Sequence, residues 1–203
     1  MKLKNLPWIP FALFAIAIGF DMHGKGLWAG KTKEVLENVV WHTAFYIHIT
    51  FGGIALLIGW TQFSNNLRNR YLNTHPMIGK IYVGSVMLSS LAGLYIALFA
   101  SGGITSTLGF GSLAVVWFFA VLMAYTSILK RDIKQHENWM IRNYALTFAA
   151  VTLRIYLPLS QMMHIDFIAA YRVISWICWV PNLIIAEIII YKRAQTLVPS
   201  PIK

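Results

Sequence analysis

Charge is what this sequence has least of. Of 203 residues only 12% are charged and seven are acidic, against 58% hydrophobic residues. An average soluble domain carries roughly 25% charged residues, and so few could not cover its surface. This excludes a soluble enzyme, a nucleic-acid-binding domain and a disordered chain. Cysteine is almost absent. Cys178 stands alone, so an internal disulfide and a cysteine-based metal cluster are both excluded. It lies in an apolar run and reads as a buried thiol. Long hydrophilic connections are missing too, so no soluble domain interrupts the apolar stretches. Phosphate-loop, HExxH, GxSxG and CxxC motifs do not occur.

What is present is apolar sequence in long runs. Six stretches stand out: 7–20, 39–60, 77–100, 108–129, 139–163 and 167–191. A helix needs about 20 apolar residues to cross the roughly 30 Å hydrocarbon core, and five stretches meet that length. The first is shorter and follows Lys2 and Lys4, but no small-residue cleavage site comes after it. It reads as a retained, peripheral first helix over 7–22, outside a core of about 39–191. Backbone in lipid must satisfy its own hydrogen bonds, so the spans are expected to be helices. The expectation is an all-α, polytopic transmembrane bundle of six helices forming one membrane domain over 1–203.

The net charge of +10 then becomes a statement about topology. With both termini on one side, that side collects Lys2, Lys4, Arg68, Arg70, Lys80, Lys130, Arg131, Lys134, Arg142, Lys192, Arg193 and Lys203. The other side holds Lys25, Lys31 and Lys33, while Arg154 and Arg172 stay inside or near the ends of apolar stretches. This bias puts both termini in the cytoplasm of a bacterial inner-membrane protein. The basic loops suit anionic lipid headgroups, so the expected partner is the bilayer, with no nucleic acid. Ser85, Ser89, Gly93 and Ala97 recur every four residues, and Gly52, Gly53 and Gly59 sit on the preceding span. Such small stripes let helices approach closely, within one chain or against membrane partner subunits. Trp41, Trp60, Tyr71, Trp139 and Tyr191 fall near span ends, as in an aromatic belt.

Ionisable groups inside spans are costly and are functional-site candidates by default. Counting ~1.5 Å per residue puts His48 and Arg154 each about nine residues from the outer face, ~14 Å deep, with Trp117 level. Pro158 lacks an N–H, so the carbonyl of Arg154 loses its helix partner. A second group belongs to the inner face: His75, Lys80, His136, Glu137, Arg142 and, about 30 Å along its span, Glu187. Glu187 is expected to pair with Arg142 or Lys80, and Asn182 adds a polar group to the same span. His75 and His136 suit axial ligation of haem b or a proton relay. The outer His23, His42 and His164 read as interfacial.

Several segments carry a family pattern in order. They are His48-Ile49-Thr50-Phe51-Gly52-Gly53, Gln62-Phe63, His75-Pro76-Met77-Ile78-Gly79-Lys80-Ile81-Tyr82 and His136-Glu137-Asn138-Trp139-Met140-Ile141-Arg142. The run from Tyr144 to Arg154 and Trp179-Val180-Pro181-Asn182-Leu183 follow. Over about residues 45–190 the chain resembles the bacterial predicted membrane proteins grouped as domain of unknown function 2306. Pro76 and Glu137 stand where that pattern often has arginine. The resemblance implies the architecture and leaves the activity open. Three functions remain: a haem-b or quinone-linked redox protein, in which Arg154 would meet a propionate or a quinone carbonyl; a small-molecule or proton-coupled transporter; and an accessory membrane subunit.

Overall fold

The computed structural model describes residues 32–63 and 74–196. The 7–20 stretch, both chain ends, His23, Tyr71, Arg68 and Arg70 lie outside the described residues. Among the described residues every regular element is a helix. They are α1 (Lys33–Glu37), α2 (Val39–Gly59, extended by a 3₁₀ turn over Trp60–Phe63), α3 (Thr74–Ala97), α4 (Ile104–Leu129), α5 (Ile133–Thr147), α6 (Ala149–Met162), α7 (Phe167–Ile177) and α8 (Val180–Thr196).

Local chemistry sets the ends. Asn38 starts α2 by accepting from the N–H groups of Val40 and Trp41 at 2.9 and 3.1 Å. Asp132 and Asp166 cap α5 and α7 in the same way. The uncharged 101–105 link is a tight turn in which Gly102 and Gly103 adopt φ of 96° and 71°. Arg131 (φ 60°) and His164 (φ 56°) occupy the left-handed position that closes α4 and α6. Behind each, the next amide bonds five residues back, Asp132 to Ser127 and Ile165 to Ser160, both at 3.0 Å. His164 thus has a helix-ending role.

Four helical segments are long and apolar enough to cross a membrane: Val39–Phe63, Thr74–Ala97, Ile104–Leu129 and Phe167–Thr196. Their outer faces expose Leu88, Leu91, Val115, Phe119, Ile184 and Ile188, the surface of a protein solvated by lipid. The fifth expected span, 139–163, is helical but is not one of these four. It carries Arg142, Asn143, Thr147, Thr152 and Arg154, and it is broken at Phe148 into α5 and α6.

That break was not expected, and it has a physical cause. Asn182 of α8 donates to the carbonyl of Ala145 at 3.3 Å, beside the interrupted ladder. The second break, at Cys178–Trp179, precedes Pro181, which offers no N–H. Next to it, the Cys178 carbonyl accepts from the side chains of Asn182 at 3.0 Å and Thr152 at 2.5 Å. Asn182 therefore laces the two broken helices together, and it also lines the cavity shared by His75, Lys80 and His136.

Helices have little hydrophobic reason to associate in lipid, so close approach and hydrogen bonding do more of the work. The α2–α3 contact is the most extensive in the fold. It is built on the expected stripe: Ser85, Ser89, Gly93 and Ala97 are all buried. A Cβ at Gly52 would sit 3.0 Å from the Ser89 hydroxyl.

Candidate functional site

Among the described residues, two sizeable cavities open into the bundle, one toward each end. The larger, about 1280 Å³, lies where α2 ends, α3 begins, α4 ends and α5 begins. His75, Lys80, His136, Glu137, Tyr144 and Arg193 line it. The smaller, about 210 Å³, is walled by Phe45, His48, Trp117, Arg154, Tyr171 and Cys178, among others. Helix α5 walls both: Met140 and Tyr144 face the large cavity, Leu146 and Thr147 the small one.

Counting along the spans places His48, Trp117 and Arg154 at one level, and the structure brings all three to the small cavity. His48 and Trp117 meet edge to face, with ring centroids 6.5 Å apart. The His48 Nδ1 lies 2.9 Å from the Ser89 carbonyl, which can only accept. Nδ1 therefore carries the proton and Nε2 keeps its lone pair. Ser89 completes the clasp by donating its hydroxyl to the His48 carbonyl at 2.8 Å. The ring sits against bare backbone, since a Cβ at Gly93 would come within 2.8 Å of Nδ1. Arg154 donates one terminal nitrogen to the carbonyl of Ala150 at 2.8 Å. Its Nε is buried and has no hydrogen-bond partner among the described residues. Trp41, expected in an interfacial belt, is instead buried here, stacked on Phe45 at 5.3 Å.

At the large cavity His136 repeats the arrangement. Its Nδ1 is 2.8 Å from the Ala124 carbonyl, so Nε2 again bears the lone pair. His75 lines the same cavity from α3. Of the two expected partners for Glu187, the structure selects Arg142, with Nε and NH2 donating to the two carboxylate oxygens at 2.6 and 2.9 Å. Arg142 also covers the Trp139 ring at 4.6 Å. Lys80 takes no part in that pair and stays exposed on the cavity wall. Glu137 pairs with Arg193 at 2.8 Å.

Sequence reasoning missed the polar network in the core. The Tyr82 hydroxyl donates to Asn143 Oδ1 at 2.6 Å and lies 3.1 Å from the Thr147 hydroxyl. The Trp117 indole donates to Thr147 at 2.9 Å, and Asn143 Nδ2 donates to the Trp117 carbonyl at 2.9 Å. Tyr82 and Asn143 are completely buried. A signal existed, because Asn143 and Thr147 sit one turn apart within an apolar span and so share a face. No group of three or more metal-ligating side chains occurs among the described residues.

Comparison with curated proteins and with solved structures finds no match for the chain. The profile of one family, described as "Predicted membrane protein (DUF2306)", matches residues 45–190. That range begins just before His48 and ends just beyond Glu187, so it takes in most of the walls of both cavities, with Trp41 and Arg193 outside it. The chain therefore belongs to this family of predicted membrane proteins.

Proposed function

We propose that the protein is a membrane redox protein that holds haem b in the large cavity, with His136 as an axial ligand and His75 as the second. The observation that carries this reading is the fixed tautomer of His136. An imidazole whose Nδ1–H is held by a carbonyl presents Nε2 as a ready metal ligand, and metal-bound histidines are held in this way. The cavity volume of about 1280 Å³ and its mixed apolar and basic walls suit a macrocycle with two carboxylates, for which Lys80 is a partner. Bound haem would supply one-electron chemistry at a potential tuned by its axial ligands. In this reading the basic ends face the cytoplasm of a bacterial inner membrane, with six spans and both termini inside.

The test is an absorbance spectrum of protein purified from haem-replete cells. A Soret band is expected in the wild type, its loss in His136→Gly, and its recovery on adding imidazole. A folded wild-type protein without the band would overturn the assignment. The two helix breaks favour the alternative, a proton-coupled transporter, because discontinuous helices at mid-membrane build binding sites in that class.

A further inference from the structure

The small cavity has a chemistry of its own. Its walls bring one cation, Arg154, and no acidic side chain among the described residues. A guanidinium buried in an apolar span is costly unless acceptors meet its donors. Its one hydrogen bond goes to a neutral carbonyl, and its buried Nε points to no acceptor. Opposite stands His48, whose Ser89 clasp leaves Nε2 as an acceptor. The remaining walls are largely aromatic and aliphatic, from Phe45, Phe110, Leu113 and Trp117.

We propose that the small cavity binds a monocarboxylate with a compact apolar body, and that the ligand enters together with one proton. The guanidinium fork accepts a carboxylate through parallel hydrogen bonds, with Nε among the donors. A carboxylate oxygen beside a bare Nε2 would meet lone pair with lone pair. One proton between them removes that conflict, carried either by the acid or by the imidazole. The balance is simple: one anion and one proton leave the aqueous phase, the one bond formed is the O–H or N–H that takes up that proton, and the occupied site carries only the original arginine charge. Size agrees with a single ring or a short branched chain, because a cavity of about 150 Å³ takes benzene and this one measures about 210 Å³.

The titratable and charged groups facing His48 across the cavity are few. Helix α6 brings Arg154, α7 brings Tyr171, and the α7–α8 junction brings Cys178. The cavity walls on α3, α4 and α5 bring none. His48 is therefore the group placed to share the incoming proton. The inference does not depend on what the large cavity holds.

Benzoate is a suitable probe, titrated calorimetrically into the full-length protein in two buffers of equal pH and different ionisation enthalpy. One saturable site is expected, with uptake of close to one proton per benzoate. Arg154→Gln should abolish binding. Arg154→Lys, which keeps the charge and is the safer variant for folding, should weaken it about tenfold or more, the loss expected for one charge-assisted hydrogen bond. His48→Asn retains an N–H for the Ser89 carbonyl but has no Nε2, so benzoate should still bind, more weakly, with proton uptake lost. Absence of saturable benzoate binding by the folded wild type would overturn the proposal. So would binding without proton uptake, or binding indifferent to both Arg154 variants.

Discussion

The two cavities hold arginine on opposite terms. At the large one the lining arginine is matched, Arg193 against Glu137, and on the same two helices Arg142 lies against both oxygens of Glu187. At the small one Arg154 has a single carbonyl and a buried, unmatched Nε. The former pairs are partly exposed, and an exposed ion pair adds little stability. The latter is deep, where an unmatched cation is costly. Neutralised charge at a membrane face is architecture, whereas charge left open in the interior is poised for a ligand.

The polar network between the cavities offers the sharpest way to break this comparison. Asn143→Leu removes the amide, so the Tyr82 hydroxyl keeps only Thr147 and the Trp117 carbonyl loses its side-chain donor. A loss of about 1–3 kcal/mol is expected, from two buried hydrogen bonds at about 0.5–1.5 kcal/mol each. Unfolding in detergent measures it. Both the haem band and benzoate binding should then fall together, because α5 walls both cavities. Loss of one alone would show that the network serves a single site.

A smaller and local effect is expected of Gly93→Ala. The added methyl must displace the His48 ring, whose Nδ1 would be 2.8 Å from it. Benzoate affinity should drop about tenfold, equivalent to one charge-assisted hydrogen bond, with the Soret band unchanged. An unchanged affinity would show that the ring position is irrelevant to the ligand. Smallest of all should be Arg142→Gln. Its partner Glu187 is half exposed, and removing such a pair costs about 0.5–1 kcal/mol. Neither benzoate affinity nor its proton uptake should move. A drop of more than tenfold would show that the matched and open arginines are coupled after all.

Much of this was legible before any coordinates. The level of His48, Trp117 and Arg154 follows from counting residues at helical rise, and it survives because α2 and α4 run unbroken through that depth. The small stripe on α3 is likewise a property of spacing alone. The break at Phe148 was not legible. It depends on Asn182, 37 residues away, placing its amide beside the Ala145 carbonyl. The same holds for the choice of Arg142 over Lys80, since counting along the spans assigns both to the same end of the bundle as Glu187. The network of Tyr82, Trp117, Asn143 and Thr147 draws on three helices, and only two of its members share a local pattern.

The sequence by itself determined that this chain is a helical membrane protein, and it singled out a cationic group within an apolar stretch. Hydropathy, length and helical rise are local quantities, and they need no partner to be read. Tertiary structure decided which groups have partners. Nδ1 of His48 and of His136 each find a carbonyl on another helix, and Arg154 finds only Ala150 on its own. Hydrogen bonds form within about 3 Å, a range no residue count resolves between helices. The lone pair at Nε2 and the open guanidinium are therefore facts of packing.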